Sequence, residues 1–205
     1  MDYSNIDYDS TFDIIGTPEN YINKYENLKI QKKNKAALLC LNNALKAFPT
    51  NFEIAAKLFD FLFELKKYNE LIKFSNFILV NNQNKIRIKQ CYGIIACCYF
   101  FLNDFKNALD YFEKSEGYNC ISTEMPMTYY QAICYEKYGK YNEALNLLTK
   151  LYNFYNNTIM EVEKNNSNPD NIIIRHNITN KEMQLLTDTI NRIRMLSNQN
   201  IIYEI

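Results

Sequence analysis

Residues 102–116, LNDFKNALDYFEKSE, are written again with changed letters at residues 138–152, YGKYNEALNLLTKLY. In register, Ala96 falls over Ala132, Tyr99 over Tyr135, Phe105 over Tyr141, Ala108 over Ala144, Asp110 over Asn146 and Phe112 over Leu148, always 36 positions apart. Each copy reads as two helices joined by a short turn, at Asn103-Asp104 in one and Gly139-Lys140 in the other. One such pair cannot bury its own apolar faces, so a period of this length predicts stacked, near-identical units.

The register extends towards the N-terminus. Tyr68 and Leu71 stand where Phe105 and Ala108 stand, and Ala37, Leu41, Ala44 and Pro49 continue the pattern one unit further back. Thr17 as N-cap and Pro18 at the first helical position open the first unit. The predicted units are 18–51, 52–85, 89–122 and 125–158. The competing arrangement, an irregular bundle of amphipathic helices, would not need a fixed offset. Composition agrees with an all-α chain: four Gly and four Pro among 205 residues are few, and β-rich folds need both in their turns.

These residues resemble the tetratricopeptide repeat, which sets a small residue and an aromatic on the first helix. An aromatic at the turn, then Ala, a bulky residue and a second small residue follow, with Pro often closing the unit. Ala96, Tyr99, Phe105, Ala108, Phe112 and Ser115 carry the pattern in the third unit, and Ala132, Tyr135, Gly139, Tyr141, Ala144 and Leu148 in the fourth. The first unit carries Tyr25 at the small first-helix site. The second departs most, with Phe59 for the small residue, Leu71 for Ala and Ser75 for the bulky position. The resemblance implies a right-handed solenoid of helix-turn-helix pairs that holds a partner peptide or amphipathic helix against its first helices. Carried over residue by residue, it places Glu53, Asp60 and Phe63 of the second unit on that concave surface. From the third unit it places Cys97, Phe100 and Phe101, and from the fourth Tyr129, Tyr130, Ile133 and Glu136. The groove would then be acidic towards the N-terminus, with Glu19, Glu26 and Glu64 adding to it, and aromatic towards the C-terminus. For Phe100, Phe101, Tyr129 and Tyr130, packing between repeats is an equally good reading. Branches of the family that grip a C-terminal carboxylate use Lys, Asn and Arg where this chain has Ile22, Glu26, Gln90 and Ile94, so that clamp is not expected.

Other classes find little support. Lys plus Arg equals Asp plus Glu at 23 each, which removes the basic excess that nucleic acid requires. The basic spots at 31–35 and 85–89 read as solvated turns. Six cysteines, Cys40, Cys91, Cys97, Cys98, Cys120 and Cys134, include no CxxC, and the single histidine, His176, lies far from them in sequence, so no metal is expected. The adjacent Cys97 and Cys98 invite a redox reading, but apolar helical surroundings favour burial. No phosphate loop or nucleophile motif is present, so catalysis and cofactors are not expected. The acidic opening MDYSNIDYDSTFDIIG lacks the basic and apolar regions of a signal peptide, and no apolar run is long enough to span a bilayer. The N-x-S/T sequons at Asn156, Asn165 and Asn177 would matter only in a secreted protein, and the expected location is cytoplasmic.

Residues 1–16 are expected to be disordered, 17–164 to form the repeat domain, 165–180 to link, and 181–205 to form a capping or docking helix. That helix opens with a Thr179/Glu182 capping box. It continues with an apolar stripe at Met183, Leu186, Ile190, Ile193 and Leu196. The expected function is a non-catalytic adaptor or scaffold that binds another protein. The alternative is a structural subunit that uses a repeat end, the convex face or the C-terminal helix. Two further occupants of the groove stay open: the chain's own C-terminal helix, and a second copy in a homo-oligomer.

Overall fold

The computed structural model describes residues 16–81, 84–115, 126–164 and 180–203; of the segment 1–16 expected to be disordered, residues 1–15 lie outside them, as do 165–179 of the expected linker 165–180, including Thr179 of the capping box, while Asn180 already belongs to the last helix. Among the described residues every regular element is an α-helix. In chain order these are α1 (Pro18–Ile30), α2 (Asn34–Ala47), α3 (Phe52–Glu64), α4 (Tyr68–Asn81), α5 (Lys85–Phe101), α6 (Phe105–Ser115), α7 (Met127–Lys137), α8 (Tyr141–Lys164) and α9 (Asn180–Tyr203).

The repeat is visible in the backbone of its turns. Lys32, Lys66, Asn103 and Gly139 have φ of 56°, 56°, 61° and 68°, and they sit at equivalent points after α1, α3, α5 and α7. A left-handed residue directly after a helix turns its last amides back onto the open carbonyls of the final turn. The amides of Lys33, Asp104 and Lys140 accordingly donate to the carbonyls of Leu28, Tyr99 and Tyr135, at 2.9, 2.9 and 3.0 Å. The next helix then starts at once. Ala37, Leu71, Ala108 and Ala144 each donate to the carbonyl four residues back, at Lys33, Lys67, Asp104 and Lys140. One turn geometry thus recurs at all four turns within the predicted repeat pairs, although only the last carries the glycine that tolerates it without strain.

The chain divides into two compact units, residues 1–66 and 67–205, so the division falls inside the second predicted repeat. In the first unit α2 packs on α1 and on α3. Thr17 caps α1 through a 3.4 Å bond from the Asn20 amide, with Pro18 at the first helical position. Ala37, Cys40, Leu41 and Ala44 form the buried stripe of α2, and Ile54, Leu58, Phe61 and Leu62 that of α3. Tyr25, the large residue at a small site, is itself buried and meets Phe61 edge to face at 5.3 Å. Two lysines bridge α1 and α3: Lys29 reaches Glu64 and Lys57 reaches Glu26, each at 2.6 Å.

In the second unit α5 packs on α4, α6 and α7, and α8 packs on α7 and α9. The small residues do what the pattern requires. Ala96, Ala108, Ala132 and Ala144 are wholly buried, so neighbouring helices approach closely, while Phe112 and Leu148 fill the volume between them. Ser75, the irregular residue of the second repeat, is also fully buried. Its hydroxyl donates to the Leu71 carbonyl at 2.8 Å, which satisfies it inside an apolar core.

The C-terminal helix closes this unit. Leu186, Ile190 and Ile193 of α9 are buried against Leu148, Leu151 and Tyr155 of α8, with Met183 packed beside them. The exposed end of a helical repeat needs such a lid, because the last helix pair otherwise presents its apolar face to water. Thr189 lies in the same buried stripe and bonds back to the Leu185 carbonyl at 2.8 Å.

Candidate partner-binding surface

The residues assigned to the concave surface fall into two groups, one in each unit. In the first unit, Glu53 and Asp60 of α3 are exposed and Phe63 is half-buried. The acidity expected there is reduced by the ion pairs, since Glu26 and Glu64 each have a lysine partner. The Glu64 carboxylate in turn raises the pKa of Lys29 above its ordinary value, keeping the pair charged.

In the second unit the aromatic positions form a connected cluster. The hub is Tyr130 of α7, whose ring centroid lies 4.9 Å from Phe100 and 5.4 Å from Phe101 of α5. Phe101 stacks on Tyr68 of α4 at 5.3 Å with the planes 12° apart, and Phe100 meets Phe105 of α6 at 5.8 Å. Tyr129 joins Tyr130 edge to face at 5.7 Å. Edge-to-face and offset contacts of this kind add to the apolar burial of each ring. Tyr130 retains only 7% of its exposure, so it joins α5 to α7 and offers a partner almost nothing. Phe100, Phe101 and Tyr129 are half-buried, each with one part in the packing and another at the surface. Core packing and surface, the two alternatives for these rings, are therefore combined in one side chain.

Cys97 is 1% exposed, between buried Ala96 and Cys98 on the core side of α5, and presents no surface to a partner. All five described cysteines are buried. Desolvation pushes the Cys91 thiol up to about 11 and the Cys134 thiol up to about 12, the behaviour of small hydrophobes and the opposite of reactive thiols. Among the described residues no group of His, Cys, Asp and Glu is arranged to hold a metal ion. No helix among them is long and apolar enough to cross a membrane.

Ile133 is half-buried. The remaining two positions on α7 are engaged by the C-terminal helix. Glu136 accepts from Arg192 Nη2 at 2.7 Å, and its side chain keeps only 11% of its exposure. The Tyr129 hydroxyl lies 3.2 Å from Thr189 Oγ1. Sequence reasoning missed Thr189 and Arg192. A signal for Thr189 existed, because it falls within the apolar stripe of α9; none existed for Arg192, whose partner is 56 residues away.

No protein-family model matches the chain. No curated protein matches it either. Among solved structures, that of the MamA protein, a tetratricopeptide-like helical repeat, superposes with a TM-score of 0.55 over 92% of this chain and 96% of its own, at 15% sequence identity. At that identity the likeness is one of fold, and the class it defines is the all-α helical-repeat protein.

Proposed function

We propose that the protein is a non-catalytic adaptor that binds another protein, taking a peptide or amphipathic helix against the first helices of its repeats. The observation that carries this reading is the band of half-buried side chains on α5 and α7: Phe100, Phe101, Tyr129 and Ile133. The rings of Phe100, Phe101 and Tyr129 are fixed by contacts with neighbouring rings, so their exposed parts are held in place before any partner arrives, and pre-organised aromatics make effective anchors. Glu53, Asp60 and Phe63 on α3 offer a separate set of acidic and apolar contacts. Apolar side chains of a partner complement the α5–α7 band, and basic ones the α3 carboxylates. A cytoplasmic location belongs to this reading.

The competing role, a structural subunit that docks through its convex face, would use second-helix residues such as Phe154, which is 64% exposed on α8. Affinity capture from native extract with Ile133→Lys and Phe154→Ser variants separates the two. The adaptor reading expects Ile133→Lys to lose the captured protein and Phe154→Ser to keep it. The reverse pattern selects the structural role, provided both variants retain the parent's helical circular dichroism.

A further inference from the structure

The face of α9 turned away from its buried stripe carries Leu185, Asp188, Arg192 and Met195. All four are exposed, Leu185 at 43% and Met195 at 61%. Their 3-4-3 spacing is that of the a and d positions of a coiled-coil seam. The order of the four is also self-complementary on reversal. In an antiparallel pair of identical helices centred between residues 188 and 192, Leu185 faces Met195 of the other copy and Asp188 faces Arg192 of the other copy. Two apolar layers then flank two opposite-charge layers, and a two-fold axis satisfies all four at once.

We propose that this face of α9 is a homodimer surface whose occupant is the same helix of a second copy, docked antiparallel. Arg192 can serve both roles. One edge of its guanidinium holds Glu136 at 2.7 Å, while the side chain remains 52% exposed with further N–H donors to offer. Asp188 accepts from Gln184 at 2.9 Å through Oδ1, which leaves Oδ2 for the incoming guanidinium. The seam is short, about 15 Å between its end residues at 1.5 Å per residue, so association depends on concentration. The surface is separate from the one proposed for the adaptor function and does not rest on it.

Sedimentation equilibrium of the full chain over a wide concentration range tests the proposal. The parent protein should shift from monomer to dimer as concentration rises. Asp188→Arg, which sets two arginines against each other in both charged layers, should stay monomeric. Met195→Lys, at a highly exposed position, supplies a second disrupting variant should Asp188→Arg lose helical circular dichroism. A parent that is monomeric throughout overturns the proposal, as does a dimer that the folded disrupting variant leaves undiminished.

Discussion

Arg192 of α9 donates to Glu136 of α7 at 2.7 Å, and three residues before it on the same helix Thr189 lies 3.2 Å from the Tyr129 hydroxyl. The C-terminal helix is thus fixed to the last repeat by two polar contacts beside an apolar seam. The two kinds of contact differ in weight. The ion pair is half-exposed on the arginine side, but Glu136 is largely covered and would be left unpaired, so Arg192→Ala should cost about 1–2 kcal/mol in chemical denaturation. Leu186→Ala empties a fully buried site and should cost about 2–5 kcal/mol. Hydrogen exchange in α9 should rise more for Leu186→Ala than for Arg192→Ala.

The left-handed turn residues carry backbone strain that depends on the side chain. Lys66 adopts φ 56° with a side chain that such a backbone disfavours. Lys66→Gly should therefore stabilise the protein by about 1 kcal/mol, and Gly139→Ala should destabilise it by a similar amount. The space around Gly139 would accommodate a methyl group, with no atom within 4 Å of an added Cβ, so its loss would be conformational and not steric. Thermal denaturation of the two variants checks both signs.

Alkaline pH should unfold the chain. Burial holds the Cys91 and Cys134 thiols at about 11 and 12, against 9.0 ordinarily, and raises the Tyr155 hydroxyl, with the Glu182 charge adding to burial, to about 12 from 10.0. Since each folded value lies above the unfolded one, the unfolded state gives up its protons first. The stabilisation is complete below pH 9 and is lost as pH rises through 11 to 12. Denaturant midpoints measured across that range should fall steadily. Alkylation followed by mass spectrometry should find Cys91 and Cys134 protected until the fold is lost.

Much of this fold was legible because period and small residues carry it. Ala96, Ala108, Ala132 and Ala144 recur where two backbones approach, and all four are wholly buried. The stripe of α9 was equally readable, since Leu186, Ile190 and Ile193 keep helical spacing. The turns were readable in position but only partly in conformation: Gly139 and Asn103 suit a left-handed backbone, whereas Lys32 and Lys66 give little sign of one. The surface was the least legible part. A half-buried ring such as Phe100 has the same letter whether it packs between repeats or meets a partner, and here it has both a packed side and a surface. Nor could sequence foresee that Glu26 and Glu64, acidic by position, would be paired with Lys57 and Lys29 from another helix.

The reading of α5 and α7 as the partner-binding face is tested most directly by site-specific photo-crosslinking in native extract, with the reactive group placed in turn at Ile133 and at Phe154. Position 133 should give a discrete protein adduct and position 154 none. An adduct from position 154 alone would overturn binding at α5 and α7 and assign it to the outer face of α8.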